Sequence, residues 1–187
     1  MIRTIVEERT KNIAVMDVFS KLAQNRIVYI DGPIDDELAN GVISQLLYLD
    51  SLNNNEISIY INSYGGYIYD GLGIIDAMNL IKSPVKTVCI GKAMSMAAII
   101  LICGKTRYAT ENATIMLHEP SGGTIGTFRE VETTYKEIER TKNILYGIIR
   151  KKTNISDPED ILDRDVYYTP IDAKKLNIID EILIGEF

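Results

Sequence analysis

A serine hydroxyl is a poor nucleophile until a base within hydrogen-bond reach takes its proton. This chain offers one histidine for that task, His118, downstream of a serine set in Gly91-Lys92-Ala93-Met94-Ser95-Met96-Ala97-Ala98. The chemistry such a pair performs is acyl transfer: Ser95 attacks a carbonyl and His118 moves the proton. Ser95 follows a strand pattern and a glycine, and opens the apolar run Met96 to Cys103. A helix start supplies free amides and a positive dipole end, so the Met96 amide is a donor for a developing oxyanion. Serine is also a common helix cap, and the local residues fit that role as well. His118 ends the run Ala113-Thr114-Ile115-Met116-Leu117, just before Glu119-Pro120. Carboxyl ends of parallel strands face ligand crevices, which suits a catalytic histidine, although one satisfying a backbone group would fit too. A third member, a carboxylate, should orient the imidazole. Asp163, Asp165, Asp172 and Asp180 all lie in the right region, and spacing does not choose among them.

Two glycine-rich stretches flank these residues. Gly65-Gly66, after Asn62-Ser63-Tyr64, lets a backbone approach a ligand closely or adopt positive φ. A plain strand-to-helix turn fits it too, and the spacing is not that of a dinucleotide fingerprint. Ser121-Gly122-Gly123-Thr124-Ile125-Gly126 is either an edge for pairing with a peptide main chain or a flexible loop.

The elements that must position these residues alternate. Ile27 to Ile30, Ile57 to Asn62 and Val85 to Ile90 are strand patterns, expected to close at Asp31-Gly32-Pro33, Gly65-Gly66 and Gly91. Between them, residues 35–51 and 68–82 carry apolar residues at helical spacing, such as Leu38, Val42, Leu46 and Leu49. That order predicts parallel βαβ units. Residues 127–152 form the longest helical pattern, opened by the capping box Thr127-Phe128-Arg129-Glu130. Its stripe is Phe128, Val131, Tyr135, Ile138, Leu145 and Ile149. At a rise of 1.5 Å per residue it would span about 39 Å, so it is expected to protrude and need a partner surface. Asp157-Pro158 and Thr169-Pro170 each place a cap before a first-turn proline, and Asn177 suits a left-handed helix end.

Composition narrows the function classes. A chain of 187 residues, 46% hydrophobic and 25% charged, fits one globular domain, 1–187. A net charge of −6 argues against nucleic acid as a partner. The most basic run, Arg150-Lys151-Lys152, complements a helix C-terminus. The charged N-terminus lacks a signal peptide's apolar core, and the run Met94 to Cys103 is about half a membrane span. Cys89 and Cys103 fall in expected buried elements, with neither a disulfide framework nor a zinc spacing. A reducing, cytoplasmic setting with no membrane partner follows.

Together, Tyr60-Ile61-Asn62-Ser63-Tyr64-Gly65-Gly66, the Ser95 segment, Met116-Leu117-His118-Glu119-Pro120 and Asp163-Arg164-Asp165 resemble the ClpP family of self-compartmentalised serine peptidases. The likeness runs from about Asp17 to about Leu183. It implies an α/β fold, a crotonase-like spiral of ββα units with a protruding handle at 121–152. It makes Ser95 the nucleophile, His118 the base and Asp165 the orienting acid, with the amides of Gly66 and Met96 as the oxyanion hole. Substrate would pair with Gly65 to Ile68 and with the stretch from Ser121. Two stacked heptameric rings of this chain would enclose a chamber fed with unfolded polypeptide by an AAA+ ATPase, with no metal or organic cofactor. Glu130 and Arg164 would pair between rings, and residues 1–16 would line the axial pore, near the family's mature start with no long propeptide. The chain departs from the family at Tyr64, Lys92, Met94, Glu119 and Ser58. Glu119 adds a negative charge beside His118, expected to favour its protonated form. The departures also admit a weakly active or structural subunit of a mixed ring. An acyl-CoA hydratase or isomerase of the wider crotonase group would need acidic residues in place of the serine and histidine.

Overall fold

The computed structural model describes residues 4–9 and 12–185, with side chains from residue 16 onward. The chain runs β1 (Thr4–Arg9), β2 (Asn12–Asp17), α1 (Val18–Gln24), β3 (Ile27–Ile34), α2 (Asp36–Leu52), β4 (Ile57–Gly66), α3 (Ile68–Leu80) and β5 (Val85–Met94). It continues with α4 (Met96–Cys103), β6 (Thr106–Thr110), β7 (Thr114–Leu117), α5 (Phe128–Lys152), α6 (Pro158–Ile161), β8 (Val166–Tyr168), α7 (Pro170–Lys175) and β9 (Glu181–Leu183). Strands β1 and β2 pair as an antiparallel hairpin. Most of the expected pore-lining segment lies there, and its residues 1–3, 10 and 11 fall outside the described set.

The main sheet has the order β3-β4-β5-β6-β9, all parallel. Strand β5 pairs with β6 through Lys86 to Cys89 and then with β7 through Lys92 to Met94. Strand β8 closes this second tier antiparallel to β7. This is the α/β arrangement of alternating strands and crossover helices that the sequence implied.

Two of the three glycine breakers act differently from expectation. Strands β3 and β5 do not close at Gly32 and Gly91 but run on to Ile34 and Met94, whereas β4 ends at Gly66, within the expected Gly65-Gly66 breaker. Register breaks fall between Asp31 and Pro33 and between Ile61 and Ser63. Gly32 and Gly91 take φ of 91° and 77°, so the strands bend there and resume pairing. Each strand therefore serves two tiers, and its second tier delivers the chemistry-bearing residues.

Burial explains the helices. Every residue of α4 is buried, so Ser95 opens onto the centre of the core. Helix α2 buries Ala39, Val42, Leu46 and Leu49, with Leu38 packed at the margin. The capping box at Thr127 and Glu130 is present, and burial within α5 begins only at Thr141. The earlier stripe residues Phe128, Val131 and Tyr135 are exposed. Thr169 caps α7 as expected, whereas Asp157, at φ −127° and ψ 78°, makes no cap bond to α6. Asn177 is left-handed, with φ 55°.

The base of α5 is locked by Arg107, which is 7% exposed. Its guanidinium donates to the carbonyls of Lys152 (2.8 Å) and Asn177 (2.7 Å) and to both Asp180 oxygens. Burial pushes the Asp180 carboxyl up, but the bonds from Arg107 outweigh it and hold it below its ordinary value.

Candidate active site

Ser95 sits between β5 and α4 with φ 53° and ψ −125°, a backbone conformation costly for a residue with a Cβ, about 1–3 kcal/mol. It makes no side-chain cap bond to α4, so the helix-cap role does not describe it. Its amide donates to the Met116 carbonyl (2.8 Å), and its carbonyl accepts from Ala98 (3.0 Å). With the backbone so tied, the hydroxyl turns away from the helix, and Oγ lies 2.8 Å from Nε2 of His118.

His118 follows β7, whose register against β8 pairs Ile115 with Tyr168, Met116 with Tyr167 and Leu117 with Val166. Continued one step, that register sets His118 opposite Asp165. The Glu119 amide donates to the Leu162 carbonyl (2.8 Å) and draws the 162–165 loop alongside. Nδ1 of His118 lies 3.4 Å from Oδ1 of Asp165, a contact longer than a tight hydrogen bond. The other three candidate acids are engaged elsewhere. Asp180 holds Arg107, Asp172 bonds Thr169 and Lys175 within α7, and Asp163 lies beside Arg164.

The glycine pair lies against the serine. Gly65 has φ 97°, and a Cβ there would come within 2.6 Å of the Met94 carbonyl and 2.8 Å of Ser95 Cβ. It would also lie 3.0 Å from the Met96 amide nitrogen, and one on Gly66 would meet the Ile34 carbonyl at 2.1 Å. Neither position has room for a side chain. The Gly65-Gly66 backbone therefore runs close beside the start of α4.

A small cleft of about 100 Å³ opens on Ser95 and His118. Its walls include Gly66, Ile68, Met96, Ile99, Leu117, Pro120, Ser121, Leu145 and Tyr146. The structure thus brings together Ser95, His118, Gly66, Met96, Ile68 and Ser121, with Asp165 behind the histidine and Gly65 beside the serine. Glu130 spends Oε2 on its own helix cap, which lowers its carboxyl's pKa, and Arg164 is exposed next to Asp163. Of the cleft residues from α5, the apolar stripe flagged Leu145. Tyr146 falls off that stripe, and only its place one turn after Lys142 marks it. Its hydroxyl is buried with no hydrogen-bond partner among the described residues, and burial pushes its pKa up.

Three of the departures find partners. Lys92 places Nζ 4.2 Å from the centre of the exposed Tyr64 ring, a cation–π contact worth about 0.5–1 kcal/mol. Glu119 forms an ion pair with Lys142 of α5. Its charge therefore has a cation of its own, which opposes the expected effect on His118. At 31% and 45% side-chain exposure the pair is screened, so its worth is about 0–1 kcal/mol. Glu119→Gln is accordingly expected to change kcat/KM by less than about fivefold, measured on a short fluorogenic peptide. A larger loss would make the carboxylate part of the machinery.

Comparison with known proteins adds an independent line. Residues 9–186 match the family described as Clp protease. The ATP-dependent Clp protease proteolytic subunit of Bacteroides thetaiotaomicron is 44% identical over 185 residues, covering 96% of this chain and 84% of that protein. Its counterpart in Bacteroides fragilis is 44% identical over 185 residues, with 96% and 89% covered. That of Porphyromonas gingivalis is 43% identical over 185 residues, with 96% and 83% covered.

Proposed function

The chain belongs to the Clp protease family, and we propose from its cleft how it cuts. It is a serine endopeptidase, the proteolytic subunit of a Clp complex that works as a ring with an AAA+ unfoldase. In our reading the rings are two stacked heptamers of this chain in the cytoplasm. Its two cysteines are buried free thiols, consistent with a reducing compartment. Among the described residues no helix is long and apolar enough to cross a membrane.

The observation that carries the mechanism is the 2.8 Å contact between Ser95 Oγ and His118 Nε2 on a strained serine. For Ser95 to donate, Nε2 must be the bare nitrogen, so Nδ1 carries its proton toward Asp165. An extended peptide lies along Gly65 to Ile68, with Ser121 on the opposite wall. The cleft formed by Ile68, Ile99, Leu117 and Leu145 receives an apolar side chain of the residue that supplies the scissile carbonyl. Ser95 Oγ attacks that carbon while His118 takes the proton, and the amides of Gly66 and Met96 stabilise the oxyanion. The C–N bond breaks as His118 returns the proton to the amine. Water, activated by the same imidazole, then hydrolyses the ester on Ser95.

Two measurements on the purified chain test this reading. Negative-stain images should show seven-fold rings stacked in pairs, and the chain alone should hydrolyse short apolar peptides. Activity that emerges only on mixing with a second ring subunit would instead make it a partner in a mixed ring.

A further inference from the structure

Ser63 is a fully buried polar residue inside the sheet, outside the nucleophile–base pair. It stands where β4 breaks step with both neighbours. Asp31 pairs with Asn62 and Pro33 with Gly65 on one side, while Ile61 pairs with Cys89 and Ser63 with Ala93 on the other. Such breaks leave backbone groups without ladder partners, and buried ones need substitutes. The Ser63 hydroxyl supplies two: Oγ donates to the Gly32 carbonyl at the β3 bend and accepts from the Gly65 amide at 3.0 Å.

Gly65, at φ 97°, runs so close beside the nucleophile that a Cβ there would collide with Met94, Ser95 and Met96. A small rotation of its peptide would carry the next amide, that of Gly66, away from where an oxyanion forms. We propose that Ser63 is a positioning residue for the oxyanion hole, holding the Gly65-Gly66 backbone at its working distance from Ser95. This rests on the serine-peptidase reading above and extends it to a side chain that touches neither substrate nor base. The role has a kinetic signature. An oxyanion donor acts on the tetrahedral state and not on the bound peptide, so its displacement lowers kcat and spares KM.

The test compares wild type, Ser63→Ala and Ser63→Cys on a short fluorogenic peptide, with rates taken per assembled subunit. A peptide boronate serves as the tetrahedral probe. The expected order of kcat is Ser, then Cys, then Ala, with the alanine variant down by about 10²-fold, as loss of one oxyanion donor produces. KM should stay within about threefold, and the boronate inhibition constant should rise in parallel with the loss in kcat. Cysteine keeps a weaker donor and acceptor in nearly the same volume, and it decides the matter if the alanine chain does not assemble. Wild-type kcat and boronate affinity in either assembled variant would overturn the proposal. So would a loss confined to KM. Ser95→Ala separates the two readings: an active Ser95→Ala chain removes the catalytic assignment, whereas an inert one beside a fully active Ser63→Ala removes only the role of Ser63.

Discussion

Ser95→Ala is expected to abolish peptide hydrolysis, with kcat falling by about 10⁵- to 10⁶-fold, while rings still assemble. The size of the loss follows from how the residues act as a unit. Without Oγ, His118 has no proton to take, and the remaining oxyanion donors and cleft can supply only the small residue of catalysis that binding gives. Labelling by a fluorophosphonate should vanish as well, and persistent labelling at that site would sink the assignment. Stability gives a second readout with its own sign. Ser95 is held at φ 53° and ψ −125°, a conformation that alanine finds no easier. Glycine adopts it without the Cβ penalty. Ser95→Gly should therefore be as inactive as Ser95→Ala yet melt a few degrees higher than wild type. A serine that only capped α4 would behave in reverse, losing stability and keeping activity.

How far the sequence shows all this depends on which physical signal each residue leaves. The capped helix α5 was legible because Thr127 and Glu130 make a local pattern that needs no tertiary context. The helices over 36–52 and 68–80 were legible from apolar periodicity. Two of the strand ends were not. Gly32 and Gly91 look like terminators, but β3 resumes its pairing with β4 beyond the bend, and β5 continues because it finds a new neighbour in β7. Only the assembled sheet shows those neighbours. Ser63 was hidden for the same reason: its two partners, the Gly32 carbonyl and the Gly65 amide, meet it only at the register break between β3 and β4. Glu119 illustrates the converse. Its charge was plain in the sequence, but Lys142, which meets it, is 23 positions away on α5.

The orienting acid is the sharpest case, and it carries the second large prediction. From spacing, Asp163 and Asp165 are interchangeable neighbours of one loop. The antiparallel register of β7 against β8 distinguishes them, because extending the pair Leu117 and Val166 by one step sets Asp165 across from His118. Asp163 is displaced two residues along the chain and lies beside Arg164 at 3.3 Å. Asp165→Asn should lower kcat by about 10³-fold, since an amide neither stabilises the imidazolium nor enforces the productive tautomer. The estimate sits below the ~10⁴-fold loss of a buried triad acid, because the Asp165 side chain is 55% exposed and water shares its work. Asp163→Asn should leave kcat within about threefold of wild type. The comparison is best made on the pH–rate profile of a short peptide, normalised to assembled rings. If Asp163→Asn were the crippled variant, the β7–β8 register could not be the device that aims the imidazole. If both were mild, His118 would be oriented by its own backbone, and the 3.4 Å contact would be incidental.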